Sequence, residues 1–443
     1  MKKVGNITLL LLSASLFLIV TSYSNSSVHL ALAVTDPVAF NLPTTTTTTK
    51  IPPTTTPTTI MTSPPFSDNI TKNTSSKSNS NSDIQLLNNY ELSFDTKNMT
   101  HRSAQQEWQP HRGQTSISQE WWYFTALLHD ASGNKYLLFN TLFKRDGKDL
   151  PIANSIPSLG KNSTTVIFPV VELSRYDNGF HYYNSDIAIV NPKDIWNSKS
   201  HALSYQTPHY NGSWGYVGNN INAVLKSQNL SFSLNMQGAN QVMWSKDKSY
   251  NKEGFIQEGL PGNVSFYYSL PRLFVFGNLT YIDQLGVRKT MDVSGQGWVD
   301  RQWGNFKTDA WEWNSFRFDN GARLNLYNFA NAYKSGTYQK PDGTIQRLSD
   351  FTIRQNGYAK APNGQWAALG WSFDFPFNIE GSKHFTVIPF SNKDWICMSH
   401  NFCFIEGAGQ LIDNDNSKLV GHSVFESMDI RMLKNGPYDI NQH

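Results

Sequence analysis

Two carboxylates stand in the most aromatic stretches of this sequence. Glu120 precedes Trp121-Trp122-Tyr123, and Asp300 lies between Trp298 and Trp303. A carboxyl group facing a cavity acts as a general acid or base. A carboxylate that is merely buried needs a cation beside it, because an unpaired charge out of water is strongly destabilising. Both roles are open to Glu120, and for the second Arg301 is the expected partner. Asp300 is the other candidate acid. The candidate lining of a ligand pocket is Trp121, Trp122, Tyr123, Tyr267, Tyr268, Arg301, Gln302, Trp303, Trp313 and Tyr327. As plain core residues, large rings contribute about 1.5–3 kcal/mol each on burial. Successive side chains on a strand take opposite faces. One of Trp121 and Trp122 therefore faces in and the other out, while Trp311 and Trp313 share a face.

Other chemistries lack their local patterns. The eleven His show neither H-x-H nor H-E-x-x-H spacing, so no metal site is expected, and no cofactor. Gly421-His422-Ser423-Val424-Phe425 lacks the last glycine of a nucleophile elbow. Cys397 and Cys403 are six residues apart, about 20 Å on one straight strand. A disulfide between them requires a tight turn at Met398 to Asn401, and both the paired and the free state are open.

The elements that must carry these residues read as strands. Leu230, Phe232 and Leu234 alternate with Ser231, Ser233 and Asn235, and Leu324 and Leu326 flank Asn325. Asn320-Gly321, Asp342-Gly343 and Asn363-Gly364 are turn dipeptides, spaced as in a hairpin meander. No long helical stripe with caps occurs. Trp121-Trp122-Tyr123 and Trp311-Glu312-Trp313 each lead into an apolar run, a turn and a second run. That echo predicts two related β-domains.

Composition narrows the class. Net charge is +3 over 443 residues, with no block of like charges, so a nucleic-acid partner is not expected. All 13 Trp fall at or after Trp108, so the first hundred residues are a different polymer. Ile7 to Val20 is an apolar run behind Lys2-Lys3, the length of a secretory core rather than of a spanning helix. Residues 1–33 are read as a signal peptide or N-terminal anchor; a membrane enters only through this segment, if it is uncleaved. Residues 34–97, rich in Thr, Pro, Ser and Asn, are read as a disordered stalk. N-x-S/T sequons occur from Asn69 to Asn278. The expected location is extracytoplasmic, secreted or tethered to the outer face of a membrane.

An ordered set of motifs runs through the remainder. It comprises Gln119-Glu120-Trp121-Trp122-Tyr123-Phe124, Tyr267-Tyr268-Ser269-Leu270-Pro271-Arg272-Leu273, Gly295 to Gly304 (GQGWVDRQWG), Phe404-Ile405-Glu406-Gly407 and Gly421 to Glu426 (GHSVFE). The set resembles the AttH-like and carotenoid 1,2-hydratase (hydroxyneurosporene synthase) family. That resemblance implies an all-β fold of two lipocalin-like antiparallel β-barrel domains. They would span 98–306 and 307–443, with an apolar cavity in or between them. It also implies hydration or cyclisation of hydrophobic small molecules in some members. Hydration of an alkene needs a proton donor, aromatic faces for the cationic transition state and a positioned water. The family pattern places His and Glu where this sequence has Arg301 and Gln302. Arginine does not yield its proton and an amide is no acid.

The expectation is therefore a module that binds a hydrophobic small molecule, an isoprenoid or lipid. The alternatives are a hydratase or cyclase with Asp300 or Glu120 as acid, and a non-catalytic stalked surface protein.

Overall fold

The computed structural model describes residues 103–428, apart from 112–118, 147–164, 192, 250–252, 260, 305, 307–309, 330–332 and 400–401. The leader, the stalk and the sequons at Asn69, Asn73, Asn98 and Asn162 lie outside the described residues. Regular structure among the described residues is all strand.

A 14-stranded antiparallel sheet comes first. It begins with β1 (Gln119–Asp130), β2 (Lys135–Asp146), β3 (Thr165–Arg175), β4 (Phe180–Ser185) and β5 (Ala188–Val190). It continues with β6 (Trp196–Asn197), β7 (Ala202–Gln206), β8 (Asn211–Val217), β9 (Asn220–Lys226) and β10 (Leu230–Gln237). It closes with β11 (Met243–Trp244), β12 (Phe255–Gln257), β13 (Val264–Ile282) and β14 (Arg288–Gly304).

The second sheet has 10 strands and begins after Gly304. Its first members are β15 (Trp311–Phe318), β16 (Arg323–Phe329), β17 (Lys334–Gln339), β18 (Ile345–Leu348) and β19 (Thr352–Gln355). A small separate hairpin, β20 (Tyr358–Lys360) with β21 (Trp366–Ala368), interrupts it. Then come β22 (Trp371–Ile379), β23 (Ser382–Pro389), β24 (Trp395–Ser399), β25 (Phe402–Asp413) and β26 (Lys418–Met428).

The two sheets repeat one topology. In the first, β1 pairs on one side with β2 and on the other with the last strand, β14. In the second, β15 pairs with β16 and with the last strand, β26. The Trp-led echo in the sequence is thus the first hairpin of each half. The turns read from sequence connect β15 to β16, β17 to β18 and β20 to β21. Gly321, Gly343 and Gly364 sit in them at φ of 93°, 91° and 91°, values a side chain would strain.

Each sheet encloses its own apolar core, and a third core lies between the sheets. Strand β1 shows how. Trp122, Phe124, Ala126 and Leu128 point into the first core, with Trp214 and Phe232. Tyr123 points the other way, into the shared core, which Trp121 and Leu127 flank. Trp313, Tyr327, Phe329 and Phe404 of the second sheet meet them there. Both faces of β1 are therefore covered, so it lacks the polar face usual in an antiparallel strand. The interior of the first sheet is filled by large rings, including fully buried Trp108, Trp122 and Trp214.

Candidate functional site

The cavity lies where the two sheets face one another, not inside either one. About 110 Å³ is open within it. Its walls come from Tyr123 of β1, Tyr267 of β13 and Asp300 and Gln302 of β14, opposite Trp311, Trp313, Tyr327 and Glu426 of the second sheet. Trp121, Phe143, Arg145 and Trp311 are partly exposed and form a rim. The register sets these positions. Tyr123 lies opposite Asp300, and Asp300 opposite Ser269. In the second sheet Trp313 lies between Tyr327 and Glu426, and Glu426 opposite Glu406. Two rows of polar groups thus cross the facing surfaces of the two sheets.

The carboxyls in these rows are protonated far more readily than a carboxyl in water. Burial pushes Asp300 up to about 7, despite hydrogen bonds from Ser269, Tyr267 and Trp298. The indole of Trp298 donates to Asp300 Oδ1 at 2.6 Å. Burial likewise lifts Glu258 to about 8. Ser265 Oγ donates to Glu258 Oε1 at 2.6 Å, and the amide of Gln302 donates to the same oxygen. Burial raises Glu406 and Glu426 as well, and Glu426 raises Glu406 further. Trp311 Nε1 donates to Glu426 Oε2 at 2.8 Å. Arg317 faces the same region and donates to Thr125 Oγ1 at 2.6 Å. Its burial draws its pKa down to about 10, with Tyr123, Asp300 and Glu406 acting in the other direction. Asp300 and Glu258 are thereby placed to hold or release a proton near neutrality.

Glu120 has the opposite character. Burial alone would raise it, but Lys144 and then Arg301, helped by His111, hold it well below the ordinary carboxylate range. Lys144 Nζ lies 2.8 Å from Glu120 Oε1, and Arg301 Nη2 contacts Oε2. His111 Nδ1 is 3.0 Å from the same oxygen. The Arg301 guanidinium also lies over the Trp122 ring, 4.0 Å from its centroid. Although Glu120 belongs to the cavity wall, its carboxylate is consumed by cations, which removes it as a proton donor. The expected Glu120–Arg301 pair is present.

The predicted site residues therefore separate by strand parity. Tyr123, Tyr267, Asp300, Gln302, Trp313 and Tyr327 meet at the cavity, with Trp121 on its rim. Trp122, Tyr268 and Trp303 do not; they pack in the first core, and Arg301 lies against them. Their assignment to the pocket is corrected by the alternation of β1, β13 and β14. Sequence reasoning gave no role to Glu258, Glu406, Glu426 or Arg317. A glutamate between apolar residues of a strand, as in Phe404-Ile405-Glu406-Gly407, was the available signal.

Cys397 and Cys403 are paired across the β24–β25 hairpin, with Cα atoms 4.1 Å apart. Elsewhere, Glu172, His181 and Asp394 come together, although local spacing offered no metal pattern.

A profile of the AttH-like family matches residues 92–422. The chain belongs to the AttH-like family. A search of curated proteins finds no match. Among solved structures, this AttH-like chain is similar to a candidate AttH protein from Nitrosomonas europaea, at 16% identity and a TM-score of 0.58, over 75% of this chain and 97% of that one. It is also similar to kievitone hydratase from Nectria haematococca, at 14% identity and a TM-score of 0.52, over 74% of this chain and 93% of that one. At these identities the likeness is one of fold. The AttH-like chain thus has the expected all-β, lipocalin-like architecture.

Proposed function

We propose that this protein is an acid–base enzyme of the hydratase or cyclase type, acting on a small, mostly apolar, unsaturated molecule. The observation that carries the reading is the Asp300 carboxyl. It is buried in an aromatic cavity, accepts the indole N–H of Trp298, stands beside Ser269 and Tyr267, and is pushed up to about 7. Such a group holds a proton at neutral pH and can release it, as an acid for carbon or oxygen must. The rings of Trp313 and Tyr327 offer faces to a developing cation.

The replacement of His and Glu by Arg301 and Gln302 weighs less against catalysis than the sequence suggested. Arg301 serves Glu120 on the far face of β14. Gln302 does face the cavity, and it holds the carboxyl of Glu258 there. A second acid is therefore present at that place in the wall. Kievitone hydratase has the same fold, which is consistent with this chemistry.

The cavity also bounds the substrate. At about 110 Å³ it is smaller than a ~150 Å³ cavity that admits benzene, so a chain end reacts inside while the remainder crosses the rim. This favours a terminal group of an isoprenoid-like molecule over a whole extended lipid. We place the protein outside the cytoplasm; the apolar run Ile7 to Val20 and the Cys397–Cys403 bond support this.

The test is incubation of the full chain in D₂O with apolar extracts of its source. The expected result is a hydrated or cyclised product carrying deuterium on carbon, with turnover at least about 100-fold lower in Asp300→Asn. Recovery of a bound but unaltered apolar compound would instead establish a binding protein.

A further inference from the structure

We propose that Glu172, His181 and Asp394 form a binding site for one divalent transition cation of the Zn²⁺ class, joining the two halves of the protein. Glu172 lies on β3 and His181 on β4, both of the first sheet; Asp394 immediately precedes β24 of the second. One ligand atom from each residue falls within 4.8 Å of the other two. His181 Nε2 and Glu172 Oε1 are 3.1 Å apart. Bonds of about 2.0–2.2 Å in a tetrahedral set hold ligand atoms about 3.3–3.6 Å apart, so the widest pair must close by up to about 1.5 Å.

A second observation points to a ligand. Glu172 is wholly buried, and its Oε2 has no hydrogen-bond partner among the described residues. Neither does His181 Nε2 meet the geometry of a hydrogen bond, despite its proximity to Glu172. A wholly buried carboxylate oxygen left unsatisfied beside an imidazole is costly, unless an ion takes it. The outer contacts suit a metal site too. Ser174 Oγ lies 3.0 Å from Glu172 Oε1 and donates to Asp394 Oδ1 at 2.9 Å, and Tyr176 Oη donates to Asp394 Oδ2 at 3.4 Å. Such contacts orient carboxylate ligands.

A cavity of about 200 Å³ adjoins His181 and Asp394, with room for water to complete the coordination. One nitrogen and two carboxylates favour Zn²⁺ over Ca²⁺ or Mg²⁺, which take oxygen sets. The ligands span both sheets, so the ion would act as a clasp between them.

The test uses the full, untagged chain stripped with a chelator and titrated with Zn²⁺ alone. The expected result is one equivalent bound, with a thermal midpoint raised by about 5 °C or more at 100-fold excess over Kd. Co²⁺ in its place should give visible ligand-field bands. His181→Asn and Asp394→Asn should each weaken Zn²⁺ binding at least 10-fold while keeping the β-sheet circular dichroism of the parent. The proposal is overturned if the parent binds no stoichiometric Zn²⁺, or if either folded variant binds it as tightly as the parent. Should a variant fail to fold, Co²⁺ bands in the parent lacking the signature of nitrogen and oxygen ligands would overturn it equally.

Discussion

Tyr123 on β1 donates its hydroxyl to Glu406 on β25 at 2.8 Å, so the two sheets are tied by a hydrogen bond inside their shared core. The tie joins the row containing Asp300 to the row containing Glu426. Glu426 stands opposite Glu406, and its charge raises Glu406 further.

Removal of that hydroxyl should be felt as stability. Tyr123→Phe leaves a buried carboxyl short of its donor, at a cost of about 1–3 kcal/mol. Chemical denaturation of the parent and the variant measures it. An unchanged midpoint would mean that the bond contributes nothing in solution.

The Asp300 carboxyl makes stability depend on pH. Its folded value of about 7 lies above an unfolded value of about 4. The folded state therefore binds the proton more tightly, and this contribution is complete below about pH 4 and lost as pH rises through about 7. The parent should lose stability across that window, and Asp300→Asn should flatten the loss. Denaturation midpoints at pH 5 and pH 8 decide; equal slopes in the two proteins would place the proton elsewhere.

Glu120 runs in the opposite direction. Its folded value is lowered, so its contribution is present above an unfolded value of about 4.3 and fades as pH falls below that. Glu120→Gln removes the carboxylate that pairs with buried Lys144 and Arg301, an expected loss of about 3–5 kcal/mol at pH 7. Urea titration at neutral pH reads this directly, and a loss under about 1 kcal/mol would show the cations to be solvated.

The Cys397–Cys403 bond closes a short loop. On chain-entropy grounds it contributes about 2 kcal/mol, and the double change Cys397→Ser, Cys403→Ser should remove that amount. Mass spectrometry of the alkylated parent without reductant should find no modified thiol. Two labelled cysteines would refute the pairing.

The fold was largely legible because its signals are local. Alternation in Leu230 to Leu234 and glycine turns such as Asn320-Gly321 mark strands directly, and β10 and the β15–β16 turn stand there. Which ring faces which core was half legible. Parity separates Trp121 from Trp122, but no local signal says that both faces of β1 are covered. That arises from packing of the second sheet, which begins about 190 residues later. The Glu120–Arg301 pair could be anticipated from charge balance, whereas Lys144 and His111, which complete it, could not. Asp300 was found through the family resemblance, as the motif aspartate that stays beside Arg301 and Gln302. Glu258 was missed because it faces the cavity from the loop between β12 and β13, where the sequence shows only an ordinary polar stretch.

The double-sided strand β1 has a consequence for dissection of the molecule. Its alternate residues answer to different partners, so neither lobe carries a finished exterior where the other now rests. A chain cut after Gly304 would bare Tyr123, Leu137, Phe139, Tyr267 and Trp298 to solvent, a sticky wall inviting self-association. The lobes should melt together as one cooperative body, and neither should behave well alone.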